Sequence, residues 1–249
     1  MNLEDLEKID SHKMYQTYDK WPDIAKQGYE QEFAVPEFKS IDHIVFAGMG
    51  GSGTIGDIIS SILSKNDVHT SVVKGYSLPK TVDSNTLVVV TSVSGQTNET
   101  LTVLRDSLKL NANVITFSSG GKIEEVSLKN KIPFFKINYM HSPRASLLGF
   151  LYSTLNVLED LLPTNKSDIL ESLNLLNGTQ IEINSSNLTD NNPALRFAKL
   201  IKNIPVIYYP AGLEAAAIRF KNSMQENAKT QIISENVIES CHNGVVAWE

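Results

Sequence analysis

Apolar and polar positions follow two rhythms along the chain. Short unbroken apolar runs at His43 to Ala47, Thr70 to Val73, Leu87 to Thr91, Asn113 to Phe117 and Pro133 to Ile137 are mostly rich in Val, Ile and Phe, and they are too short for helices. Such runs predict strands buried on both faces of a parallel sheet. Thr54 to Leu63 and Glu99 to Leu110 have helical character and stand between them. The alternation predicts an α/β fold, a doubly wound sheet covered on both faces. Ahead of it, residues 3 to 19 predict an amphipathic helix ended by Trp21-Pro22, with a second break at Pro36.

Beyond Pro143 the helical rhythm takes over. Arg144 to Leu162 predicts a long apolar helix closed by Pro163, and Lys166 to Asn177 a second one closed by Gly178. Thr179 to Asn192 is polar and Asn-rich, which predicts a surface connection before a helix at Pro193 to Lys202. Pro205 to Tyr209, the turn Pro210-Ala211-Gly212 and the Ala-rich run Leu213 to Ala228 then repeat the strand, turn, helix plan of residues 43 to 63. This echo places a domain boundary near residue 150, giving domains of residues 1–150 and 151–249.

Two strand-end loops carry candidate chemistry. Gly48-Met49-Gly50-Gly51-Ser52-Gly53 follows a strand and opens a helix, so its NH groups can converge on an anion at the positive helix end. The same string fits the dinucleotide fingerprint, but that site expects an acidic residue about 20 residues on. The next strand ends Val72-Val73-Lys74-Gly75 instead, which disfavours a dinucleotide. A tight turn that needs glycine only for its backbone is the competing reading. The second loop, Thr91-Ser92-Val93-Ser94-Gly95-Gln96-Thr97, again separates an apolar strand from a helix. Its hydroxyls suit the acceptor oxygens of a phosphomonoester, unless Ser94 or Thr97 simply caps the helix. The histidines His12, His43, His69, His141 and His242 are scattered and lack the paired spacing of a zinc site, and no GxSxG elbow surrounds Ser52.

Composition narrows the partners and the compartment. The 28 acidic and 22 basic residues are spread along the chain, net −6, with no basic block that would release counterions from nucleic acid. Nucleic acid is not an expected partner. Cys241 is the single cysteine and has no internal partner for a disulfide, which suits a reducing compartment. No segment approaches the ~20 consecutive apolar residues of a membrane span, and the acidic start lacks a signal-peptide core. The cytoplasm, with no membrane partner, is the expectation, and triplets such as Asn98-Glu99-Thr100 then read as chance matches to a glycosylation signal.

Taken together, Gly48 to Gly53, Ser92 to Thr97, Ser142-Pro143-Arg144, Gln225-Glu226-Asn227-Ala228-Lys229 and Cys241-His242-Asn243 stand in an order and spacing that resemble those of the archaeal-type bifunctional phosphoglucose/phosphomannose isomerases, which have two sugar isomerase (SIS) domains. The resemblance covers nearly the whole chain. It implies two three-layer α-β-α domains, a homodimer, no cofactor, and interconversion of aldose and ketose hexose 6-phosphates through a cis-enediol. By matching position it implies phosphate binding by Gly50, Gly51, Ser52, Ser92, Ser94 and Thr97. It also implies stabilisation of the enediolate by Arg144, proton transfer by Glu226, and ring opening by His242 contributed from the neighbouring subunit. A guanidinium suits developing negative charge, a carboxylate can shuttle a proton between adjacent carbons, and an imidazole can exchange one with the ring oxygen. Cys241 and Gly244 depart from the residues more usual around that histidine. Family members also continue past Trp248-Glu249 through a strand and a helix, so the second domain is expected to be short. A phosphosugar-binding regulatory protein without turnover, or an isomerase of another phosphosugar, are the other readings, because one fold serves many reactions.

Overall fold

The computed structural model describes residues 1–248. It divides into two compact units, Met1–Leu195 and a second from Arg196 onward. The expected boundary near residue 150 falls inside a helix whose residues are almost all buried in the first unit.

The first unit opens with α1 (Leu3–Ile9), α2 (Tyr15–Asp19) and α3 (Trp21–Glu30). The single helix expected over residues 3 to 19 is broken at Lys13, whose φ of 55° is left-handed. Trp21-Pro22 starts a helix rather than ending one. Proline lacks only an NH that a first turn leaves unbonded anyway, and its fixed φ suits helix entry. There follow β1 (His43–Ala47), α4 (Gly51–Leu63), β2 (His69–Val73), β3 (Thr86–Ser92), α5 (Asn98–Ser107), β4 (Asn113–Ser118), α6 (Gly121–Lys129) and β5 (Phe134–Lys136). The strands form one parallel sheet in the order β2-β1-β3-β4-β5.

Strand side chains alternate between two cores, one on each sheet face. Ile44, Phe46, Leu87, Val89, Ile115 and Phe117 belong to one, which also takes residues of α4 and of α7 (Leu147–Val157). Val45, Ala47, Val88 and Val90 belong to the other, with Leu101, Val103 and Leu104 of α5 and Ile123 of α6. Both faces are covered, which is why these strands read as unbroken apolar runs. On the first face α7 packs closely against α3, where a Cβ on Gly28 would stand 2.7 Å from the Gly149 carbonyl oxygen. After α7, α8 (Lys166–Ile183) runs past Gly178, where the sequence predicted its end. Gly178 is exposed with open space around it, so one unfavourable residue of about 1 kcal/mol is outweighed by a helix capped at its start by Asn165.

The second unit begins within α9 (Pro193–Leu200) and contains β6 (Val206–Tyr209), α10 (Glu214–Ser223), β7 (Ile233–Asn236) and the short α11 (Val237–Ser240). β6 and β7 are parallel neighbours joined through α10. Phe197, Tyr209, Leu213 and Phe220 line an apolar groove of this unit of about 400 Å³.

Candidate functional site

The strand order of the first unit creates a switch point. From β1 the chain moves outward to β2, and from β3 it moves the other way to β4, so the loops leaving β1 and β3 part from each other at the carboxyl edge of the sheet. A crevice opens there in doubly wound sheets. Ala47 pairs with both Val73 and Val90, which sets the two loops side by side.

The first loop is held from the β2 side, with the Gly48 NH donating to the Val73 carbonyl at 3.1 Å. Gly50 turns the chain with φ 53° and ψ −124°, a region that strains other residues, and α4 then begins with no side-chain cap. The second loop is tied by hydroxyls. Ser92 is buried, its Oγ accepting the Gly95 NH at 3.1 Å and lying 2.9 Å from Thr97 Oγ1. Ser94 is exposed, and α5 too begins with no side-chain cap, so neither Ser94 nor Thr97 serves as the helix cap considered above. Asn2, Asn165 and Asn236 cap α1, α8 and α11, whereas α2, α3, α6, α7 and α10 also start without a side-chain cap, so it is the position at the switch point that sets α4 and α5 apart. In α4 the Ser52 and Gly53 NH groups turn back to the Met49 carbonyl at 3.1 and 3.3 Å, so what the two helix starts share is a positive dipole end without a capping side chain, one element of an anion site.

A third loop, Ser118-Ser119-Gly120-Gly121, buttresses the second. Ser119 Oγ and NH donate to the Val93 carbonyl at 2.5 and 3.1 Å, and the Ile123 NH donates to the Gly95 carbonyl at 3.1 Å. Gly95 has φ 65°, and a Cβ there would lie 1.8 Å from the Gly120 carbonyl oxygen. Sequence reading did not single out this loop, although the Ser-Ser-Gly-Gly string after an apolar strand is the same signal that marked the other two.

Arg144 is half-buried in the segment between β5 and α7. That segment is fastened to the amino-terminal helices: Trp21 Nε1 donates to the Ala145 carbonyl at 2.8 Å, and His141 Nε2 lies 2.9 Å from the His12 carbonyl. Ser146 Oγ closes it by donating to the Met140 carbonyl at 3.0 Å. At the same edge, Glu99 in the first turn of α5 raises the pKa of the Tyr76 phenol above its ordinary value, with a smaller contribution from desolvation.

Glu226 and His242 belong to the second unit. Directly after α10 the chain forms a π-turn, Met224–Ala228, closed by Lys229 in the left-handed conformation with its NH on the Met224 carbonyl. Glu226 is half-buried within this turn, and Lys229 Nζ donates to its carbonyl at 2.7 Å. π-turns are rare and concentrate at functional sites. His242 is exposed in the turn beyond α11, its NH on the Glu239 carbonyl at 3.0 Å. Because β6 and β7 are parallel, α10 runs back against them, so Glu226 sits where the strands start and His242 follows where β7 ends. A four-residue strand separates those ends by about 13 Å. Among the described residues no group of three or more His, Cys, Asp or Glu is arranged to hold a metal ion, and no helix is long and apolar enough to cross a membrane.

Comparison with known proteins gives matches to families and to a fold. Residues 37–132 match the SIS domain family, and residues 190–249 match the bacterial phospho-glucose isomerase C-terminal SIS domain. The chain is 33% identical over 204 residues to a bifunctional phosphoglucose/phosphomannose isomerase of Thermoplasma acidophilum, covering 82% of this chain and 61% of that protein. It is 31% identical to the protein of that name from Aquifex aeolicus, covering 92% and 66%. It thus spans less than two thirds of the length of either. Among solved structures, the tagatose-6-phosphate ketose/aldose isomerase of Escherichia coli matches in fold with a TM-score of 0.69 at 14% identity, over 96% of this chain and 70% of that one.

Proposed function

The chain belongs to the bifunctional phosphoglucose/phosphomannose isomerase family, and from that premise we propose that it interconverts aldose and ketose hexose 6-phosphates. The observation that carries the reading is the pair of uncapped helix starts, α4 and α5, side by side at the switch point of the sheet. Both offer a positive dipole end with hydroxyls close by, which suits a phosphomonoester.

In this reading Gly50, Gly51, Ser52, Ser94 and Thr97 hold the phosphate, and Ser92 shapes the loop through its bonds to Gly95 and Thr97. His242 protonates the ring oxygen as the hemiacetal opens. Glu226 takes the proton from C2 of the open-chain aldose, leaving an enediolate whose oxygen Arg144 stabilises, and returns that proton to C1 to give the ketose. The proton that His242 gives to the ring oxygen is replaced by the one released from the O1 hydroxyl on opening, and the O2 hydroxyl proton passes to O1 as the ketose carbonyl forms, so the atoms balance without an oxidant or a cofactor. The resemblance of the Cys241-His242-Asn243 segment to the family motif favours a homodimer in which a second copy supplies the histidine. Such an enzyme would work in the cytoplasm, where hexose phosphates are metabolised.

The test is to incubate the purified protein with fructose 6-phosphate in deuterium oxide and follow glucose 6-phosphate and mannose 6-phosphate by proton NMR. Product carrying deuterium at C2, with a loss of at least ~100-fold in Glu226→Gln, is the expected result. Binding of fructose 6-phosphate without product or exchange would sink the assignment and leave a phosphosugar-binding protein without turnover.

A further inference from the structure

The segment leaving β2 touches both helices whose first turns face the switch point. The Lys74 stem lies over the first turn of α4: a Cβ added to Gly53 would stand 3.1 Å from Lys74 Cε and 3.2 Å from its Cγ. Its ammonium is 2.5 Å from Asp57 Oδ2, one turn further along the same helix. The Asp57 side chain is only 17% exposed and that of Lys74 37%, so this pair is less screened than a surface pair such as Lys109 with Asp106, at 73% and 42%. Two residues on, Tyr76 meets Glu99 in the first turn of α5. The loops 48–53, 92–97 and 118–121 contain no lysine or arginine. A phosphomonoester dianion held by backbone NH groups and hydroxyls alone would be left with about half of its charge uncompensated, since the two helix ends supply only about half a charge each.

We propose that Lys74 is a substrate-positioning residue that brings the compensating cation to the phosphate, and that Asp57 restrains it by competing for the same ammonium. The inference rests on the phosphate reading of the two loops. It assigns Lys74 no part in proton transfer. Because the lysine stem covers Gly53, the ammonium can turn from Asp57 toward the start of α4 by rotation of its last bonds, without movement of the backbone. Asp57 thereby sets how much of the cation the phosphate receives.

The experiment is calorimetric titration of the full chain with inorganic phosphate and, separately, with fructose 6-phosphate, over a range of salt concentrations. Lys74→Met should weaken binding of both probes by about tenfold and flatten the dependence of log Kd on log salt. Lys74→Arg should keep Kd within about threefold of the parent, since it preserves the charge. Asp57→Asn should tighten binding severalfold, the opposite sign to the lysine variant. Thermal unfolding of each variant separates lost affinity from lost structure. Unchanged affinity in Lys74→Met, whatever its Tm, would overturn the inference alone and reduce the pair to a tie between β2 and α4. Weakened binding in Asp57→Asn would overturn the restraint. If the parent binds neither probe, the phosphate reading fails and this inference with it.

Discussion

Replacing Gly95 by alanine should damage the first unit more than replacing Gly50, although both glycines have positive φ. At Gly50 the new Cβ meets nothing within 4 Å, so the cost is backbone strain alone, about 1–3 kcal/mol. At Gly95 the Cβ would lie 1.8 Å from the Gly120 carbonyl oxygen and 2.6 Å from Ser118 Oγ, and the φ of 65° is strained as well. Left-handed strain of about 1–2 kcal/mol adds to about 1–3 kcal/mol for forcing the two loops apart. Separation also threatens the bonds from Ser119 to Val93 and from Ile123 to Gly95, each about 1 kcal/mol. Strain and separation together cost about 2–5 kcal/mol in Gly95→Ala, and loss of one of the two bonds brings the sum to about 3–6 kcal/mol, roughly 2–3 kcal/mol beyond Gly50→Ala. Urea unfolding followed by Trp21 fluorescence, in a Trp248→Phe background, reads the first unit. With a slope of about 2–3 kcal/mol per molar, the Gly95 variant should lose about one to three molar of midpoint. Equal shifts for the two alanine variants would refute the reasoning, because they would mean that the third loop yields without cost.

Acid should loosen the other end of the same sheet. His43 is buried, 3.1 Å from Ser71 Oγ and with its ring centroid 4.7 Å from that of His69. Burial first, and His69 second, hold its pKa below the ordinary histidine value, against weaker opposing effects of Thr81, Asp42 and Asp83. The unfolded chain therefore takes up its proton first, and stability should fall as pH drops from about 6.5 through the lower folded value. His43→Gln should flatten that slope in urea midpoints measured at successive pH values, and a slope unchanged by the substitution would remove His43 as its source. For the proposed dimer, Glu226→Gln and His242→Ala should each be inactive alone, while subunit exchange between them should restore roughly a quarter of parental turnover, since half the dimers gain one intact site. Mixtures that stay inactive while exchange is shown by mass spectrometry would argue against a histidine supplied by a second copy.

Much of the first unit was legible in sequence because its strands are buried on both faces. Ile44, Val45, Phe46 and Ala47 alternate between two cores, and only an unbroken apolar run fills both. The glycine and serine loops were legible for a related reason, since the positions after such strands need glycine and small hydroxyl residues. What escaped detection depended on longer-range packing. Trp21-Pro22 is a breaker in isolation, but the indole donates to Ala145, far along the chain, and α3 packs on α7. Gly178 likewise carries no mark that the helix would continue through it. The change of compact unit at Leu195 rather than residue 150 follows from α7 and its neighbours filling the first core, a fact of packing that local composition does not carry. Of the candidate residues, the loops and Arg144 gather at the first unit, whereas the turn that holds Glu226 left no trace in the residue pattern.

That turn has a consequence for how the position of Glu226 can change over generations. A π-turn spans one residue more than the α-helical turn it replaces. Point substitutions neither add nor remove a residue, so they can weaken the turn without converting it. Losing a single codon between Met224 and Ala228 would do so at once, tightening the turn ahead of Lys229 and re-aiming the side chains within it. The length of the turn, as distinct from the carboxylate it carries, is thereby insulated from the commonest kind of genetic error and exposed to a much rarer one.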